Sequence, residues 1–214
     1  MTSSAKEGFL RGYQPGDLLD LYDVCVRTGD QGRDATGKLA RPELLGDIFV
    51  GPYIEHEPGL AFVVEGVVEG EGRAVGYVLG TADTEAFVQW YSSSWAPRFG
   101  AGYAEPEGAA RTPEEQLLAV FHHPEHMLRR ELAGYPAHLH IDILPAYQGS
   151  GWGRRLMGAF LDAAAKAGAP AVHLGVGAAN EHAQGFYRRL GFHEIDVPGA
   201  QGVLFFGRST SREQ

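Results

Sequence analysis

The sequence has a single cysteine, Cys25, among its 214 residues, so neither an internal disulfide framework nor a cysteine zinc site can form within one chain. No apolar run approaches the roughly 20 residues that span a bilayer. The first residues, Met-Thr-Ser-Ser-Ala-Lys-Glu, lack the apolar core of a signal peptide. These absences predict a soluble cytoplasmic protein without a membrane partner. Positive charge is also scarce: the formal net charge is −9, which argues against nucleic acid held through phosphate contacts. An acidic balance suits a cationic or amine substrate and serves solubility equally well. There is no internal repeat, coiled-coil heptad or low-complexity tract. What is present is globular, with 44% hydrophobic residues and 11% aromatics. That is enough for one core in one domain over 1–214, with the core at about 8–207 and a tail from 208 to 214.

Periodicity orders the chain. Residues 1–7 read as a loose polar lead and Gly8 to Tyr13 as a short strand. Asp17 is placed to cap a helix carrying Leu18, Leu21, Tyr22 and Cys25 at i, i+3, i+4 and i+7. Residues 28–37 hold three glycines and the acids Asp30 and Asp34, which makes them either a solvated connector or a loop carrying substrate contacts. Pro42 opens a second helix that Gly51-Pro52-Tyr53 ends. Leu60 to Glu65 and Ala74 to Thr81 read as strands joined by a loop longer than two residues. From 84 to 136 the pattern changes to a helical insertion capping the fold, with helices at Phe87–Trp95, Glu114–Phe121 and Glu125–Leu132. Strand, helix, strand, helix and a closing strand pair follow, giving a mixed α/β sheet.

The most informative stretch runs from His138 to Arg155. A strand ends at Ile143-Leu144-Pro145, and Gln148-Gly-Ser-Gly-Trp-Gly153 opens directly into a helix stopped by Gly168. Free N–H groups at such a helix start, with the positive end of its dipole, bind phosphate oxygens. Gly149, Gly151 and Gly153 then let the backbone approach the anion closely. On the strand, His138, His140 and Asp142 alternate on one face, opposite Leu139, Ile141 and Ile143. Ionisable groups on a buried strand must be paired or functional. The same spelling also fits the ligands of a metal-dependent hydrolase or oxygenase, although the glycine loop would then have no task.

Gln148-x-x-Gly151-x-Gly153, followed by Asn180…Phe186-Tyr187…Leu190-Gly191-Phe192, resembles the GNAT superfamily of acetyl-CoA-dependent N-acetyltransferases over Leu139 to Ile195. The segments Tyr22–Gly32, Leu45–Tyr53 and Phe206–Ser209 look like the acetyltransferase-like C-terminal domain of O-GlcNAcase and its bacterial relatives. That animal domain lacks the glycine loop, which this chain keeps. The resemblance implies a GNAT-type fold, a twisted, mostly antiparallel α/β (α+β) sheet flanked by helices, and acetyl-CoA as co-substrate with no metal. It places the coenzyme between strands 138–144 and 171–176. Backbone groups of Ile143 and Leu144 would hold the pantetheine and acetyl carbonyl, and Gln148, Gly149, Ser150, Gly151, Trp152, Gly153 and Arg154 the pyrophosphate. Asn180 would touch the pantetheine, and Tyr187 would protonate the departing thiolate, unless it is a core aromatic.

Direct transfer to a small-molecule or peptide amine needs a base, for which Asp142 and His140 are the candidates; a hydrogen-bond network tying down the 28–36 loop is the competing reading. Asp30, Asp34, Tyr53, Trp90 and Asp142 are candidate acceptor contacts. Cys25 lies on a core-facing stripe and is a poor nucleophile candidate. A coenzyme-binding module without turnover is the alternative function, and a homodimer is a family expectation.

Overall fold

The computed structural model describes residues 7–200 and 202–211. Seven strands form one sheet: β1 (Gly8–Gly12), β2 (Phe62–Val68), β3 (Glu71–Thr81), β4 (Ala137–Ile143), β5 (Ala171–Gly177), β6 (His193–Ile195) and β7 (Val203–Ser209). Their order is β1-β2-β3-β4-β5-β7-β6, antiparallel throughout except for β4 beside β5. That parallel pair needs a long crossover, which α6 (Trp152–Lys166) provides. Its buried stripe of Leu156, Met157, Phe160, Leu161 and Ala164 lies on the sheet as the spacing predicts. At Gly80 an added Cβ would meet the Phe160 ring at 2.8 Å, so the bare glycine lets α6 settle close to β3.

The opposite face of β4 is covered by α1 (Leu18–Thr28), α2 (Glu43–Phe49), α3 (Gly51–His56) and the insertion. The insertion contains α4 (Thr84–Trp90), a π-turn over Tyr91–Trp95, α5 (Pro113–His122) and several 3-10 turns. It is held by Asp47 of α2, whose carboxylate accepts from the Tyr22 hydroxyl at 2.7 Å and from the Tyr103 hydroxyl. The Asp47 carbonyl accepts the Trp95 indole N–H at 2.9 Å. Last comes α7 (Glu181–Arg189), with Asn180 accepting from Ala183 N–H as its N-cap. Among the described residues no helix is long and apolar enough to cross a membrane.

Several expectations need correction. Asp17 does not cap α1; its carboxylate takes both Arg11 guanidinium nitrogens, at 2.7 and 2.8 Å, because a bidentate ionic pair outbids an exposed amide. The second helix does stop just before Gly51, but Gly51-Pro52-Tyr53 then opens a further short helix, α3, since Pro52 fits a first turn. Residues 124–132 form two 3-10 turns, not a helix: Leu128 is exposed, so no continuous apolar stripe exists to bury. The chain end is no tail through 210, because β7 runs to Ser209 and the buried Thr210 donates to Ala169 C=O at 2.6 Å. Residues 1–6 of the polar lead and 212–214 of the tail lie outside the described residues.

The β2–β3 turn is two residues long, not longer: Glu69 (φ 52) and Gly70 (φ 88) both lie in the left-handed region of a primed turn. Glutamate is poorly suited there. Glu69→Asn is therefore expected to raise the urea midpoint, with a gain on the order of 1 kcal/mol. An unchanged midpoint would show that the turn carries no strain.

Candidate active site

The parallel partners β4 and β5 pair only at Ala137↔Val172 and His138↔His173. Beyond that point each strand stays with its outer neighbour: β4 with β3 as far as Ile143↔Gly76, β5 with β7 as far as Gly177↔Val203. The facing edges of 140–143 and 174–177 are left without a ladder, and a wedge opens between them. A cavity of about 340 Å³ occupies this region, lined by residues of β4, β5, α2, α3, β7 and the insertion.

The glycine loop leaves β4 at the end where the two strands have parted. The Gln148 side-chain amide donates to Ile143 C=O at 2.8 Å, and Leu144 N–H donates to Val75 C=O. Gly149 (φ 73) and Gly151 (φ 82) hold left-handed backbone with open space around them. Gly151 is the N-cap of α6 without a side-chain cap, and the first bond into the helix is Arg155 N–H to Gly151 C=O. The amides of Trp152, Gly153 and Arg154 therefore point out of the helix unpaired by it, which is an anion-binding arrangement. Ser150 sits half-buried in the loop. Two refinements follow. The Trp152 ring is buried under Arg155, so only its backbone serves the loop. At Gly153 an added Cβ would meet Phe186 at 2.9 Å, so this glycine admits α7 and not the ligand.

At the other end, α3 places the Tyr53 hydroxyl between two histidines, 2.8 Å from His138 Nε2 and 3.1 Å from His140 Nε2. The proton positions follow from the donor–acceptor pattern. Thr84 Oγ1 donates to Pro136 C=O at 2.7 Å, so toward His138 Nδ1, at 2.8 Å, it can only accept. Neutral His138 then carries its proton on Nδ1, and its Nε2 accepts from Tyr53. With that proton committed, the Tyr53 oxygen accepts from His140 Nε2–H, and the His140 Nδ1 lone pair is left free. No described residue hydrogen-bonds Nδ1, and it is not among the fully enclosed unpaired atoms, so it opens into the cavity that His140 lines. His173 of β5 donates from Nδ1 to Tyr135 C=O at 2.7 Å and lies 5.6 Å from His138, ring to ring.

Burial holds these rings neutral: His138 is pushed well below 6.5, His140 down to about 4, and His173 is lowered as well, each helped by neighbouring imidazoles or opposed only by backbone acceptors. Asp142, on the same face, does not join them. It accepts from the buried Tyr77 hydroxyl at 2.8 Å, and burial raises its carboxyl above the usual range. The Tyr187 phenol is raised by burial and further by Asp142, so it is held protonated beside that carboxylate. It stands late in α7 and, like Asp142, is not among the residues that line the cavity. Cys25 is buried near Tyr77 and its thiol is pushed up, so no thiolate is available.

The remaining candidates lie elsewhere. Asp30 is paired with Lys38 and Arg33, and Asp34 accepts from Thr36 N–H in an Asx turn; neither lines the cavity. Their loop does reach the wedge, since Gly32 abuts Asn180 and Gln31 abuts Gly177. Trp90 packs against His56 in a tilted pair with ring centroids 4.8 Å apart, and it does not line the cavity. Sequence reasoning missed His173, which lies in the cavity wall and carries the signal already used for β4, a histidine inside an apolar strand. His126 is also in that wall. Among the described residues no three His, Cys, Asp or Glu side chains are grouped as metal ligands.

A sheet whose central parallel strands part beside an uncapped helix start defines the acyl-CoA N-acyltransferase class of fold. The chain belongs to the GNAT acetyltransferase family, whose model matches residues 37–192. The crystal structure of SsHAT superimposes with a TM-score of 0.90 at 48% identity, covering 96% of this chain and 100% of that one. Protein O-GlcNAcase of Rattus norvegicus is 27% identical over 213 residues, 98% of this chain, which spans only 23% of that relative's length. The fold is also that of yncA from Salmonella typhimurium, solved with its cofactor acetyl-CoA, at a TM-score of 0.53 and 13% identity over 98% of this chain and 96% of that one.

The neutral histidines make stability pH-dependent. In the unfolded chain they titrate near 6.5, so between about pH 4 and 6.5 that state binds more protons, and stability rises with pH across the window. The urea midpoint is expected to fall as pH drops from 7 to 5. His140→Gln should flatten that slope by at most about 1.4 kcal/mol per pH unit, less because the ring is half-buried. An unaltered slope would mean that His140 is not held neutral.

Proposed function

We propose that this protein transfers the acetyl group of acetyl-CoA directly to an amine. One observation carries the reading: the wedge between β4 and β5 runs from unpaired α6 amides at one end to an unpaired imidazole lone pair at the other. The residues fit the coenzyme on their own chemistry. Gly149 to Arg154 offer amides and open backbone for a pyrophosphate, and the ladder-free strand edges offer amides and carbonyls for a pantetheine arm. Ile143 and Asn180 border that arm, although the Ile143 carbonyl and the Asn180 side chain each already hold an internal partner. Acetyl-CoA supplies an activated thioester, so no covalent acyl-enzyme is required.

The protein's own groups then orient the reactants and move two protons. The cavity disfavours an ammonium, which helps the amine enter neutral. As the amine nitrogen bonds the acyl carbon, His140 Nδ1 takes the proton released, while Tyr53 and His138 keep that imidazole in the accepting tautomer. As the carbon–sulfur bond breaks, the Tyr187 phenol gives its proton to sulfur. Asp142 accepts from the Tyr77 hydroxyl and stands beside Tyr187, so it is assigned to holding Tyr77 and keeping Tyr187 protonated, rather than to binding the acceptor.

Calorimetric titration with acetyl-CoA should show binding, and amine-dependent release of the coenzyme thiol should show turnover. Tyr187→Phe is expected to lower kcat by roughly 10²-fold with coenzyme affinity unchanged; undiminished kcat would return Tyr187 to a packing role. Binding without thiol release on any amine would instead make the protein a coenzyme-binding module.

A further inference from the structure

The cavity that receives His140 Nδ1 restricts which amines can be acetylated. Its walls are apolar: Phe49 from α2, Tyr91, Val120 and Met127 from the insertion, and Phe205 from β7. Its polar groups are neutral imidazoles, the Tyr53 and Tyr91 hydroxyls and the unladdered backbone of β5, with no carboxylate among the described lining residues. Carboxylates on elements around the cavity have partners of their own: Asp142 is bound to Tyr77, Asp47 to Tyr22 and Tyr103, Asp30 to Lys38. The overall charge of −9 therefore belongs to the surface and not to this site.

The reacting nitrogen must be neutral in any acceptor, so a single amine loses little by entering. A second ammonium or a guanidinium has no such option: it would be desolvated against apolar walls with no counter-charge. A phenyl or branched alkyl body gains by burial, and aromatic rings at Phe49, Tyr91 and Phe205 offer edge and face contacts to another ring. The volume of about 340 Å³ is at the small end for ligand pockets, and the acyl end of the coenzyme takes part of it, which leaves room for a single ring. Resting on the acetyl-transfer reading above, we infer that the acceptor is a primary amine on a short arm from an aromatic or branched apolar body. Polyamines, aminoglycosides and lysines in basic segments, which carry further cations near the reacting nitrogen, are disfavoured by the same walls.

The test is coenzyme-thiol release by the full chain with acetyl-CoA and four amines: 2-phenylethylamine, spermidine, kanamycin and a lysine-containing basic peptide. The expected result is a kcat/KM for 2-phenylethylamine at least tenfold above each of the others. Val120→Glu, and separately Met127→Glu, place a carboxylate in the wall from two different segments, so one misfolded variant does not decide the matter. Either should shift the kcat/KM ratio of 1,5-diaminopentane to 2-phenylethylamine upward by tenfold or more, with acetyl-CoA affinity unchanged. A wild-type preference for spermidine, kanamycin or the peptide overturns the acceptor class alone, as does an unmoved ratio in a folded variant. Acetyl-CoA binding with no release on any of the four overturns the transfer reading and the acceptor class with it.

Discussion

The parallel pairing of β4 and β5 stops after two residue pairs, and the site depends on where it stops. Backbone groups inside a sheet normally find partners, because burying them unpaired costs about as much as losing a hydrogen bond. Here the separation is held open from outside. β3 keeps β4 through six register pairs and β5 is held by β7 through seven, so neither strand can slide inward to complete the ladder. The helices reinforce this. Gly80 lets Phe160 of α6 press onto β3, and Gly153 lets Phe186 of α7 press onto α6, which sets the loop amides at the mouth of the wedge. Strand edges that lack protein partners are then available to a ligand rich in amides, and the helix start to its phosphates.

The second organising feature is that the polar face of β4 divides into two halves with different chemistry. His138 and His140 join Tyr53 and Thr84 in a chain of neutral hydrogen bonds whose direction is forced from one end by the Pro136 carbonyl. Such a chain places a lone pair in a cavity without placing a charge there. Asp142, two residues further, turns to Tyr77 and influences Tyr187. A neutral imidazole and a protonated phenol are thus both kept uncharged by burial and by neighbours, the states that the proposed proton transfers need. The insertion closes this region: Tyr91, Val120 and Met127 supply wall, while Asp47 anchors the segment to α1 and α2.

Much of this was legible in residue patterns. The strand–loop–helix at 138–167, the alternating polar face, the helix stop at Gly168 and the Asn180 cap are all local, set by periods of 2.0 and 3.6 and by capping chemistry within a few residues. The errors were of another kind. Asp17 was drawn from its cap by Arg11 on another element, Gly153 faces Phe186 of α7 rather than a ligand, and Asp30 and Trp90 found partners outside the cavity. Each depended on what lay opposite across the fold.

The sequence by itself determined the element order, the family and the identity of the groups able to do chemistry, because those follow from near-neighbour spacing. Only the tertiary structure decided which of them act together. That Tyr53 bridges two histidines some 85 residues away, that His140 Nδ1 is left without a partner, and that no carboxylate is among the described residues of the cavity wall are properties of long-range packing and hydrogen-bond direction. A linear pattern names donors and acceptors, but which lone pair is left free depends on every partner already taken.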